Sequence, residues 1–118
     1  MDDDLTPFLP LAPAALHILL AVSAEDRHGY AIMKEIAHQT GGTYKVGPGT
    51  LYDNLQKLLN LGMLDQKQRR SQGEDERRRY YRLTRFGQRV LAEEIRRLEA
   101  AVRTAKASLG RGLTGRTS

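Results

Sequence analysis

The residue types that could do chemistry are concentrated between Lys67 and Arg85, where Arg69, Arg70, Arg77, Arg78, Arg79 and Arg82 crowd around a short acidic turn at Glu74, Asp75 and Glu76. Guanidinium groups at this density suit an array of phosphate oxygens better than proton transfer, because an arginine stays charged and only donates. The charge is localised. Residues 1–66 hold Arg27, Lys34, Lys45 and Lys57 against eight acids, a balance of −4, while residues 67–118 hold fifteen bases against six acids, a balance of +9. A solvated basic hairpin is the plainer alternative, and only the neighbouring segments rank phosphate contact above it.

Catalysis finds little footing. His17, His28 and His38 fall on separate segments, and no glycine-rich phosphate loop, hydrolase elbow or metal-binding pair is present. With no cysteine there is no disulfide, thiolate nucleophile or cysteine-ligated metal. The chain is therefore expected not to be an enzyme, with no catalytic residue, no metal and no cofactor. At 118 residues it fits one domain with a modest core, and a second chain would help to bury surface. Its 40% hydrophobic and 28% charged residues are an ordinary soluble balance, and no apolar run approaches the roughly 20 residues needed to cross a bilayer. Leu5–Val22 follows Asp2, Asp3 and Asp4 and contains three prolines, unlike the basic start of a secretory signal, so the location reads as cytoplasmic with no membrane partner.

The elements that must position the arginines follow from periodicity. Leu16, Leu19, Leu20 and Val22 give a first short helix after Pro13, ending near Ser23–Asp26. From Gly29 to about Gln39, Tyr30, Met33, Ile36 and Ala37 recur at helical spacing, with Lys34, Glu35 and His38 outward. Gly47-Pro48-Gly49-Thr50 turns into a third helix, whose stripe of Leu51, Leu55, Leu58 and Leu59 ends at Gly62. Met63–Arg69 and Arg79–Leu83 read as two strands of a hairpin with its tip near Gly73. Thr84 has the character of an N-cap for a last helix running to about Leu109, with Gly87 a weakness in its first turn. Residues 110–118 lack an apolar face and are expected to be disordered.

The fold class is thus mainly α with a small β-hairpin (α+β), a winged helix-turn-helix plus a long C-terminal helix. Its parts are an N-terminal arm and winged domain over 1–83, a dimerisation helix over 84–109 and a tail over 110–118. Five motifs stand in order: His28-Gly29-Tyr30, Gly47-Pro48-Gly49-Thr50-Leu51-Tyr52, Leu55-x-x-Leu58, Leu61-Gly62-Met63-Leu64, and Arg79-Tyr80-Tyr81-Arg82-Leu83-Thr84-x-x-Gly87. In this the chain resembles the PadR family, in its short form, from about Leu16 to Leu109. The resemblance implies a bacterial transcriptional regulator, commonly a repressor, whose winged domain reads double-stranded DNA and whose C-terminal helix pairs with that of a second subunit. It also implies a small aromatic or drug-like effector in the dimer crevice, for which the sequence, lacking tryptophan, offers no located pocket.

The residues supply the same reading independently. Leu51, Leu55 and Leu58 are needed for the core, which leaves Thr50, Tyr52, Asp53, Asn54 and Lys57 toward solvent or the major groove. Pro48 and Gly49 allow a tight start whose backbone N–H groups can meet phosphate, Asn54 suits an adenine edge, and Lys45 and Lys57 suit phosphate. Tyr52 either packs on the hairpin or second helix or touches DNA, and Asp53 opposes phosphate. On the wing, Arg69, Arg70, Arg77 and Arg78 are the phosphate candidates. Alternation puts Arg79 on the face of Tyr81 and Leu83, so at least one arginine is expected to be structural.

Leu91, Ile95, Leu98, Val102, Ala105 and Leu109 are spaced 4, 3, 4, 3 and 4, a heptad seam that a single small domain would leave partly bare. Phe8, Leu9 and Leu11 are expected to pack on a second subunit's final helix. The expected function is a sequence-specific regulator, as a homodimer, on a pseudo-palindromic operator with half-sites roughly 34 Å apart. Two alternatives stay open: a winged-helix protein-interaction module and a sequence-indifferent nucleic-acid binder.

Overall fold

The computed structural model describes residues 4–70 and 77–115. After a 3-10 turn at Thr6–Phe8 come α1 (Pro13–Ala21), β1 (Arg27–His28), α2 (Gly29–Gln39), α3 (Pro48–Asn60), β2 (Leu64–Arg70), β3 (Arg77–Leu83) and α4 (Arg85–Gly115). The result is α+β with a winged helix-turn-helix order and a long last helix. The hairpin turn expected near Gly73, with Glu74, Asp75 and Glu76, lies outside the described residues, as do 116–118.

The core is where three helical stripes and the base of the hairpin meet. Ile18 and Leu19 of α1, Ile32 and Ile36 of α2, and Leu51, Leu55 and Leu58 of α3 close over Met63, Leu64, Tyr81 and Val90. On α2 the structure corrects the expected face: Ile32 is fully buried, whereas Tyr30 is 59% exposed. The two differ by about 200° around the helix, and the contacts with α1 select the side carrying Ile32 and Ile36. At the end of α3 the Met63 N–H bonds the Leu58 carbonyl and the Gly62 N–H bonds that of Leu59, each at 3.0 Å. This close turns the chain directly into β2.

β1 adds a third strand to the expected two-stranded hairpin. The sheet order is β1-β3-β2, all antiparallel, with Arg27 opposite Tyr81 and His28 opposite Tyr80. Two residues are too short to show alternation, so only the pairing reveals them. Arg27 is anchored there by an Nε–H bond to the Ala21 carbonyl at 2.7 Å and by Glu35 at 3.6 Å. β2 and β3 pair from Leu64↔Leu83 out to Arg70↔Arg77.

Thr84 caps α4, its Oγ1 accepting from the Gly87 N–H at 2.9 Å and donating to the Gly62 carbonyl at 2.6 Å. Gly87 is a requirement of packing rather than a weakness. Its Cα rests on the Met63 carbonyl group, and a Cβ there would stand 3.0 Å from the Met63 carbonyl carbon and 2.8 Å from Leu83 Cδ1. α4 continues past Leu109 to Gly115, so the expected disorder from 110 is corrected for 110–115. Once a helix is nucleated, each added residue gains a hydrogen bond, and Gly110 and Gly112 lower that gain without blocking it as a proline would.

Within the single chain the N-terminal arm docks beside the start of α4. Phe8 meets Phe86 edge to face with ring centres 5.2 Å apart, and Leu9 and Leu11 pack against the same core. The Leu11 N–H donates to the carboxylate of Glu94 at 3.0 Å, the one charged side chain in the core among the described residues. Arg97 bonds the other carboxylate oxygen at 2.7 Å. Leu91, expected in the intersubunit seam, is 5% exposed in the single chain, because the first turns of α4 lie against α1 and β3. The remaining seam positions are bare: Ile95, Val102 and Leu109 are exposed and Leu98 is half-buried.

Candidate nucleic-acid interface

α3 turns its leucines inward, which fixes what faces out. At about 100° per residue, the direction opposite Leu51, Leu55 and Leu58 is shared by Gly49, Asp53, Gln56, Lys57 and Asn60. All five are exposed. Gln56 was passed over in the sequence reading, although its spacing from Leu55 could have placed it there. Its amide donates to Asn60 Oδ1 at 3.0 Å, leaving the other hydrogen-bonding positions of both amides facing solvent.

The remaining α3 candidates divide between two flanks. Asn54, suited to an adenine edge by type, bends back so that Nδ2 donates to the Thr50 carbonyl at 2.8 Å. With Lys57 it borders a groove toward Pro7, Phe8 and Leu11 of the arm. Tyr52 lies on the opposite flank, half exposed, and reaches across to the start of α2. Its hydroxyl end presses on Gly29 so closely that a Cβ at that position would overlap the ring. Lys45 is exposed in the loop before α3, and Pro48, Gly49 and Thr50 form the open first turn.

The two faces of the hairpin are unequal. On the face carrying Tyr81 and Leu83, Arg79 and Gln68 pair across the strands and, with Tyr52, His28 and Arg78, line a cleft of about 440 Å³. Arg79 was expected to be the structural arginine. Instead it is exposed beside α3, because the core ends at Tyr81 and the inward face two residues further out looks onto the cleft.

Arg69 takes the part assigned to Arg79. On the outer face its guanidinium stacks 4.2 Å above the Tyr80 ring and pairs with Asp26 at 3.2 Å, tying the hairpin to the turn before β1. Arg82 is likewise paired, to Asp65 at 3.0 Å. Arg78 approaches His28 Nε2 at 3.3 Å. Arg70 and Arg77 oppose each other at the far end of the ladder, and their side chains lie outside the described part. The histidines stand apart: His17 is stacked on Tyr44, His28 caps α2, and His38 is exposed.

An outward helix face beside a basic hairpin is a surface other proteins share, and comparison with known proteins identifies this one. Residues 18–93 match the transcriptional regulator PadR-like family. The chain belongs to that family. It is 37% identical over 92 residues to the transcriptional regulator Rv3488 of Mycobacterium tuberculosis, spanning 78% of this chain and 81% of that one. Among solved structures, a PadR family regulator from Clostridium difficile superimposes with a TM-score of 0.66 at 22% identity, covering 83% of this chain and 98% of its own. Bacillus subtilis PadR, solved in complex with operator DNA, gives a TM-score of 0.61 at 22% identity over 69% of this chain and 45% of its own. A PadR-like chain is a transcriptional regulator, not an enzyme. Among the described residues of this PadR-like protein, no helix is long and apolar enough to cross a membrane.

Proposed function

We propose that this PadR-like regulator binds a pseudo-palindromic operator as a homodimer in the cytoplasm and represses transcription from it. The observation that carries the reading is the exposed face of α3, with Gln56, Asn60 and Lys57 outward, set directly beside the Arg79 cleft. An α-helix fits the major groove, where amides can discriminate base edges, while arginines alongside take phosphates. The Bacillus subtilis relative, solved with operator DNA, supports the same use of the fold.

Dimerisation rests on α4. Its 31 residues extend about 46 Å, well beyond the winged domain, and carry Ile95, Leu98, Val102 and Leu109 along an uncovered side. An apolar line of this length in water calls for a second copy, and a two-fold pair presents two α3 helices to half-sites about one DNA turn apart. Release from the operator is assigned to a small-molecule effector.

A gel-shift titration against the chain's own upstream region and a shuffled fragment, in about 150 mM salt, tests the reading. Selective nanomolar binding is expected. Equal weak binding to both would indicate a sequence-indifferent binder, and no binding to any genomic fragment would leave a protein-docking module.

A further inference from the structure

Tyr52 and Gly29 are fitted to each other. A Cβ at position 29 would have as its three nearest atoms the hydroxyl oxygen, Cζ and Cε1 of Tyr52, the last two at 2.9 and 3.3 Å. The backbone does not ask for glycine there: among the described residues φ is positive only at Gly41, Gly42 and Gly62. Residue 29 opens α2, where an alanine would otherwise suit the helix. The missing side chain therefore makes room for the Tyr52 ring.

The contact joins three elements. Gly29 directly follows β1, whose His28 lies opposite Tyr80 of β3, so a group resting on Gly29 is fixed relative to the wing. Tyr52 stands near the start of α3, where Gly47, Pro48, Gly49 and Thr50 are exposed and the packing falls to Leu51 and Tyr52. Leu51, fully buried, sets how deep that end sits. Tyr52, half exposed on the flank, sets how far it stands from β3, across the cleft that Arg79 and Gln68 also border. We propose that Tyr52 is a positioning residue for operator recognition: propped on Gly29, its ring holds the start of α3 at the distance from the wing at which base edges and backbone phosphates are met together. The proposal rests on the DNA-binding reading above and makes Tyr52 a spacer rather than a DNA contact. Random duplexes, gripped through their phosphates, tolerate a displaced helix, whereas a chosen sequence does not, since hydrogen bonds to base edges weaken steeply with misalignment.

The test uses the full chain, a duplex that the wild-type chain selects from a random-sequence pool, and a random duplex of equal length. Each is titrated by fluorescence anisotropy well below the thermal midpoint of the variant. Gly29→Ala pushes the ring aside and is expected to bind the selected duplex about tenfold more weakly, with random-duplex affinity kept within about twofold. Tyr52→Phe removes only the oxygen nearest the added methyl and is expected to bind both duplexes within about threefold of wild type. Combining the two should return selected-duplex affinity to within about threefold of wild type, because the methyl at position 29 takes the space the hydroxyl leaves. A hydroxyl contact to DNA predicts the opposite, a weakened Tyr52→Phe and no recovery in the double variant. Overhauser contacts between the Tyr52 ring and the Gly29 α protons supply a measurement that needs no variant to fold. Unchanged selectivity in Gly29→Ala, an unrecovered double variant or the lack of that Overhauser contact overturns the spacer alone. A wild-type chain that selects no sequence from the pool overturns the sequence-specific reading and the spacer with it.

Discussion

The Cα of Gly87 lies against the carbonyl group of Met63, so the start of α4 and the turn between α3 and β2 touch with no side chain between them. The Met63 carbonyl also accepts the Thr84 N–H at 3.1 Å, which holds it in place. Alanine is the better helix former by about 1 kcal/mol, yet its methyl would have to displace backbone. Gly87→Ala is expected to destabilise the fold by roughly 1 to 3 kcal/mol in urea unfolding, because overpacking against a fixed carbonyl outweighs propensity. An unchanged or raised midpoint would mean that α4 moves off the Met63 turn without penalty.

Glu94 predicts how stability falls with acid. The Arg97 guanidinium, and then the Leu11 N–H, hold its carboxyl below the usual glutamate range, although burial pushes the other way. A carboxylate whose folded value is depressed stabilises fully above its unfolded value, about 4.3, and loses that contribution as pH falls through the folded value. Thermal midpoints should therefore decline below about pH 4.3, and the decline should be shallower in Glu94→Gln. Parallel curves for the two proteins would show that another carboxylate dominates.

Base reading and phosphate binding should separate between α3 and the wing. Gln56→Ala is expected to cost about 1 to 3 kcal/mol of operator affinity with little change on random DNA, as loss of a base contact does. Arg79→Ala should weaken both about equally and reduce the log-log salt slope by about 0.9. Measured side by side over a salt series, the reverse pattern would exchange the roles of the two elements.

Charge on the bare side of α4 should separate subunits. Leu98→Glu with Val102→Glu would place unpaired carboxylates in an apolar seam, and light scattering is expected to give the monomer mass. Circular dichroism should stay helical near neutral pH, since these positions serve no core of the single chain. A dimer that survives both changes would put the interface elsewhere.

Long periodic segments were legible in the sequence. The leucine stripe of α3, the ends of α2 and the cap at Thr84 all sit where spacing and capping chemistry place them, because each is decided within a turn or two of helix. Features decided by distant contacts were not. β1 exists through pairing with Tyr80 and Tyr81, and Ile32 displaces Tyr30 because α1 lies on its side. The arginine roles were exchanged for a similar reason. Alternation correctly put Arg79 on the face of Tyr81 but could not show that the core ends there, and nothing near Arg69 in the sequence announces Asp26. Phe8, Leu9 and Leu11 carried a signal of burial but none of their contacts within the chain, where Phe8 meets Phe86 and the Leu11 N–H meets Glu94.

The order β1-β3-β2 leaves β2 as the long outer strand of the sheet, with β3 paired on both sides and β1 only two residues long. A strand so placed presents unmatched backbone groups to which another copy can add, a common start of aggregation. Along β2 the sequence Asp65-Gln66-Lys67-Gln68-Arg69-Arg70 is polar or charged at every step after Leu64. These charges guard the protein's solubility, and a β2 edge neutralised at Lys67 and Gln68 by apolar residues should precipitate at lower concentration.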